Sequence, residues 1–260
     1  MVVSPSRRLL VTTVVLVASI IVVFAVLGRV LADSGQAQVQ SAEQSVEGPV
    51  LLVPGYGGAT AGLEVLARAL RASGRTATVV PLPGDGTGDL ALSVAALDAA
   101  AAAATATSGA PIDLVGYSAG GVVARIWAKD NGSAVRRVVT LGSPHHGTKV
   151  AALGRAVAPG SCPVACQQLV PGSPLLDRLN DGDETPDGPQ WLALWTTQDE
   201  TVTPPDSARL DGAVNLELQR LCPGISVSHS ALPTDATVTR VVLGALTGTD
   251  LTTPTRTACG

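Results

Sequence analysis

A serine, an acid and a histidine, in that order along the chain, are the residue types that nucleophilic catalysis uses. Ser118 stands in Gly116-Tyr117-Ser118-Ala119-Gly120, a G-x-S-x-G pattern. The preceding residues 112–115 are a short apolar run, and Val122, Val123, Ile126 and Trp127 then recur at helical spacing as far as Lys129. A strand, a sharp turn and a helix would hold the serine hydroxyl clear of a sheet, and the flanking glycines remove Cβ atoms that crowd such a turn. Without partners, the same stretch is only a glycine-rich strand-to-helix turn. A free serine hydroxyl is a feeble nucleophile at neutral pH, so a base must be found.

The chain has three histidines. His145 and His146 fall in "GSPHHGT", and His229 falls in "SVSHSALPTD", near the carboxyl end. Only His229 leaves room for an acid between the serine and the base. "WLALWTTQDETVTPP" supplies that acid as Asp199, directly beyond an apolar run, with Glu200 beside it as the alternative. Asp199 is preferred because the shorter carboxylate at a turn is the usual orienter of an imidazole. A backbone cradle for a developing oxyanion is read at "LVPGYGG", where the Tyr56 N–H is one donor, and at Ala119, whose N–H is the other. The glycines at 55, 57 and 58 lack the lysine and spacing of a phosphate loop, and an ordinary strand-exit turn is the plain alternative.

These residues need elements to carry them. Apolar runs at 50–53, 76–80, 112–115, 135–141, 191–196 and 213–218 predict six strands. Helical patterns at 61–72, 91–107, 119–129 and 235–246 alternate with them, and the alanine run 99–104 is a good helix former rather than a functional feature. Alternation of this kind predicts an α/β fold, a mostly parallel sheet with helices on both faces and ligands at the carboxyl ends of the strands. Residues 142–190 fall outside the alternation. They are read as a small cap shaping a pocket, or as an excursion ending in a helix.

Taken together, "LVPGYGG", "DLVGYSAGG", "VVTLGSPHHGT", "TTQDETVTPP" and "SVSHSALPTD" resemble the bacterial lipases and esterases of the α/β-hydrolase fold, especially the compact kind with a minimal sheet. The resemblance covers about residues 49–247. It implies ester hydrolysis through an acyl-enzyme on Ser118, with His229 as base and Asp199 as its partner. A lipid or short-chain ester is the implied substrate, and no metal or organic cofactor is called for. The oxyanion loop departs from many relatives by beginning Pro54-Gly55 where they have His-Gly. An acyltransferase using the same three residues, or a hydrolase-fold binding module without activity, is the alternative.

The whole chain narrows the field further. Its 260 residues carry a net charge of −4 and only six aromatic residues, which argues against a nucleic-acid binder. A monomer is expected. Arg7 and Arg8 precede an uncharged stretch at 9–27, and Arg29 follows. Its length lies between a signal-peptide core of about 7–15 residues and a spanning helix of about 20, so residues 1–32 read as a signal anchor or a signal peptide. Either sends the chain out of the cytoplasm. The polar residues 33–47 read as a linker and 48–260 as the hydrolase domain. Four cysteines in an exported chain suggest disulfides, and the expected pairs are Cys162 with Cys166 and Cys222 with Cys259. A metal site is the weaker alternative, since neither Cys162 nor Cys166 has a histidine nearby in sequence.

Overall fold

Alternation within the strands decides how the sheet is covered. In β1 (Val50–Val53), Val50 and Leu52 point to one face while Leu51 and Val53 point to the other, as the pleat requires. All four are buried, which marks a strand covered on both sides. The computed structural model describes residues 42–260. After β1 come α1 (Ala61–Ala72), β2 (Ala77–Val79), α2 (Leu90–Ser108), β3 (Ile112–Tyr117), α3 (Ala119–Asp130) and β4 (Val135–Leu141). Then follow α4 (Lys149–Val157), α5 (Val164–Gln168), α6 (Pro174–Asn180), β5 (Gln190–Trp195), β6 (Val214–Glu217), α7 (Leu218–Leu221) and α8 (Ala236–Ala245).

The six strands pair in parallel throughout, in the order β2-β1-β3-β4-β5-β6. Leu63, Leu66 and Leu70 of α1 pack with Val238, Val241 and Val242 of α8 on one face. Leu97 of α2 and Val122, Val123 and Trp127 of α3 pack on the other. Strand order reverses direction at the β1–β3 pair, the place where open parallel sheets bind ligands. The predicted third strand was too short. Gly116 and Tyr117 continue it by pairing with Thr140 and Leu141, which carries β3 right up to Ser118.

The excursion between β4 and β5 is a small helical cap. Ala151 of α4, Ala165 of α5 and Leu176 and Leu179 of α6 reach down into the core, so the cap is seated on the sheet's carboxyl edge. Cys162 and Cys166 are bonded within it, and Cys222 is bonded to Cys259 across a separation of 37 residues. Two disulfides fit an oxidising compartment. In the chain-entropy account the longer one stabilises the fold by roughly 3–4 kcal/mol.

At the opposite edge, charge is buried. Asp113 is 0% exposed and accepts from Arg75 Nη2 at 2.6 Å and from Arg136 Nη2 at 2.6 Å and Nε at 3.0 Å. Both arginines also donate to the Leu246 carbonyl, and Arg137 donates to those of Ala245, Thr247 and Gly248, so three guanidiniums cap the carboxyl end of α8. Burial, and next the charge of Arg136, hold the Arg137 guanidinium below its usual range. Residues 42–47, read above as the end of a polar linker, lie against this cluster. Gln44 exchanges hydrogen bonds with Arg136, and Gly248 N–H donates to Glu47. The expected anchor at 9–27 and the start of the linker lie outside the described residues.

Candidate active site

Ser118 is the one non-glycine residue with positive φ among the described residues, at φ 54° and ψ −128°. Such a conformation costs on the order of 1–3 kcal/mol and persists only where packing enforces it. The enforcement is close approach. A Cβ on Gly120 would meet the Val53 carbonyl oxygen at 2.1 Å, so only glycine lets α3 begin this tightly against β1. The Ser118 N–H donates to the Leu141 carbonyl at 2.8 Å, which ties the turn to β4.

Ser118, Asp199 and His229 come from three separate loops and meet at this edge. His229 Nε2 lies 3.0 Å from Ser118 Oγ, and His229 Nδ1 lies 2.6 Å from Asp199 Oδ2. All three are buried, at 8%, 5% and 7% exposure in chain order. The other carboxylate oxygen of Asp199 accepts from the backbone N–H groups of Thr201 and Val202 at 2.9 and 2.7 Å, which fixes the carboxylate in place. An ionised carboxylate only accepts, so Nδ1 carries the proton and Nε2 is left to accept from the serine hydroxyl. Glu200, the alternative acid, is exposed.

The two expected oxyanion donors flank the serine. Among the described residues, neither the Tyr56 N–H nor the Ala119 N–H has a hydrogen-bond partner, as a cradle for a transient oxyanion requires. The loop that carries Tyr56 packs directly on the serine, since a Cβ on Gly55 would come within 2.9 Å of Ser118 Cβ.

Two residues that the sequence did not single out complete the arrangement. Tyr117 donates its hydroxyl to the His229 carbonyl at 3.2 Å, and its ring sits 5.2 Å from the imidazole. Burial, and then the charge of Asp199, push its phenol up to about 12. Gly142 lies beneath the Asp199–His229 pair, at φ 55°, where a Cβ would fall 3.1 Å from each partner atom and 2.6 Å from Leu232. Both sit beside residues already chosen, but their contacts span too much sequence for spacing to reveal.

The remaining histidines face elsewhere. His146 Nε2 pairs with Glu184 at 2.7 Å. His145 is fully buried, with Nε2 3.1 Å from Thr140 Oγ1, and desolvation, followed by the charges of Arg125 and His146, depresses its pKa well below the ordinary imidazole range. It is therefore neutral in the fold and protonates only on unfolding as pH drops below about 6.5, the free imidazole value. Its contribution to stability is present above that pH and is lost below it, with a slope of about 1.4 kcal/mol per pH unit. His145→Asn is expected to flatten the stability profile between pH 6.5 and 4.5, read as urea midpoints. An unchanged slope would assign the acid sensitivity to other groups.

Comparison with known proteins agrees with this architecture. Aspergillus fumigatus lipase B superposes with a TM-score of 0.68 at 18% identity, over 79% of this chain and 53% of that one, so this chain spans about half the length of the fungal enzyme. The mature form of Bacillus licheniformis lipase BlEst2 gives 0.62 at 20% identity, over 78% of this chain and 93% of that one. These likenesses establish the α/β-hydrolase fold. No curated protein matches the sequence significantly. The Thioesterase domain family matches residues 48–187, a span that runs from β1 through Ser118 and the cap. More than half of the chain is matched, and it holds the serine turn, the strands on either side of it and the glycine loop packed against it: the chain belongs to the thioesterase domain family, on an α/β-hydrolase fold.

Proposed function

We propose that the protein hydrolyses carboxylic esters, with Ser118 as nucleophile, His229 as general base and acid, and Asp199 as the orienter of His229. The observation that carries this is the continuous pair of hydrogen bonds from Ser118 Oγ through the imidazole to Asp199. In the reaction, His229 Nε2 takes the hydroxyl proton as Oγ bonds to the carbonyl carbon, and the carbonyl electron pair moves onto oxygen. The Tyr56 and Ala119 N–H groups hold that oxyanion, each worth about 3–4 kcal/mol in sites of this type. Its collapse breaks the bond to the leaving alcohol, which takes the proton back from Nε2. Water then repeats the sequence on the acyl-serine, releasing the acid and restoring the hydroxyl.

An apolar rim favours hydrophobic substrates. Tyr56 and Val150, exposed at 44% and 47%, line the cleft beside Ser118, and Leu153, Val157 and Val164 are further exposed apolar residues of the cap. The family match favours a second reading, a thioester in place of the oxygen ester, by the same steps with a thiol as leaving group. Covalent labelling with a fluorophosphonate tests the shared core. Ser118 is expected to take the label and the Ser118→Ala protein to take none, whereas an unreactive Ser118 would point to a binding module. Comparing p-nitrophenyl butyrate with butyrylthiocholine separates ester from thioester. We also assign residues 9–27 to an anchor that holds an exported enzyme, on their length and lack of charge. Amino-terminal sequencing of the exported chain decides this, because a start at Asp33 means a cleaved signal.

A further inference from the structure

An apolar cleft of about 260 Å³ opens beside Ser118 and runs under the cap. Val150, Ala151 and Gly154 of α4, Cys166 and Leu169 of the cap and Val202 of the acid loop line it. Besides Ser118 and Tyr56 its polar members are Thr148 and Thr201, and the Thr148 hydroxyl donates to the Thr201 carbonyl at 2.7 Å. A pocket that makes few polar demands suits an unbranched hydrocarbon chain.

We propose that this cleft receives the acyl chain, that it fits medium-length chains of roughly six to ten carbons, and that Gly154 sets the limit. This rests on the proposed hydrolysis for its chemistry, but not for its geometry. The length follows from volume. A cavity of about 150 Å³ holds benzene, or about 25 Å³ per carbon, so the cleft has room for about ten carbons. Part of that room, next to Ser118, goes to the carboxyl group. Gly154 is the one lining residue without a side chain. A Cβ there would meet only Cys166 Sγ, at 3.7 Å, so added carbons project into open cleft without a clash. The disulfide to Cys162 fixes Cys166 as the facing surface, so that wall does not retreat.

The test is a graded series, Gly154→Ala and Gly154→Leu, with Leu169→Ala to enlarge the cleft. Alanine fits at Gly154 and favours the helix, so at least one variant folds. Wild-type kcat/KM for p-nitrophenyl esters is expected to peak between six and ten carbons, rising about threefold to fourfold per methylene up to the peak. Gly154→Leu is expected to lower the octanoate-to-butyrate ratio at least tenfold, Gly154→Ala less, and Leu169→Ala to shift the peak to longer chains. Octanoate binding by calorimetry, on the full chain carrying Ser118→Ala, reads the same cleft without turnover and should weaken at least tenfold on adding Gly154→Leu. If no ester is hydrolysed but octanoate binding follows the series, the cleft stands and the proposed reaction fails. A ratio and an octanoate affinity that ignore all three substitutions overturn the assignment, as does a wild-type peak at acetate.

Discussion

Ser118→Ala is expected to lower kcat/KM for a short p-nitrophenyl ester by about 10⁴-fold or more, with the fold intact. The fold survives because the Ser118 side chain makes a single hydrogen bond, to His229, and alanine bears the same positive φ at the same cost. The activity falls because, among the described residues, no other hydroxyl is hydrogen-bonded to His229 Nε2. His229→Ala should cost nearly as much, since it removes the group proposed to accept the proton. Asp199→Asn is expected to cost about 10⁴-fold by presenting the wrong tautomer, as in other triads. His145→Ala and His146→Ala act only through the loop that carries them and should cost far less. Steady-state kinetics on the five proteins, with circular dichroism as the control for folding, gives the ranking. An essential His146 beside a silent His229 would overturn the assignment of the base.

Asp113→Asn is expected to destabilise the protein by about 3–5 kcal/mol, the largest effect on stability of any substitution considered. Asp113 is the counter-charge for Arg75 and Arg136, whose side chains are 8% and 0% exposed. Removing one member of a buried ion cluster strands the others in a medium that cannot solvate them. The amide keeps the shape, so the loss isolates the charge. Glu64→Gln offers the contrast. Its pair with Arg71 is exposed at both ends, and its loss should cost about 0–1 kcal/mol. Urea unfolding monitored by tryptophan fluorescence reads both. A loss below about 1 kcal/mol for Asp113→Asn would mean that the helix carbonyls alone satisfy the arginines.

The sequence made the site legible because its parts are local. The apolar run before Ser118, the glycines around it and the helical spacing after it all fall within a few residues, and β1 and β4 have the predicted bounds of 50–53 and 135–141. Chain order selects His229, and the shorter carboxylate at the turn after β5 is the ground for preferring Asp199 to Glu200. The buried charges were not legible, although two arginines inside the apolar run of β4 were a signal, since charge at such positions demands partners. For Arg136 the partners lie 23 and 110 residues away, on β3 and at the end of α8, while Arg75, in the turn before β2, is 38 residues from the shared Asp113, and no periodicity links them. A cap at 142–190 is one of two readings, but its helices were not legible, for another reason. Helices α5 and α6 have five and seven residues, too short to show a period, and they are held by packing and a disulfide rather than by propensity.

The position of the arginine cluster has a consequence for access. Asp113 and Ser118 mark the two ends of β3, about 16 Å apart at 3.3 Å per residue. The chain enters the domain beside Arg136, through Gln44, at the Asp113 end. A load applied through Gln44 would fall on that pole, where three guanidiniums and the end of α8 meet. The loops bearing Tyr56, Asp199 and His229 hang at the other pole and carry none of it. Changes to the residues that precede Gln44 are therefore expected to leave the serine's surroundings as they are.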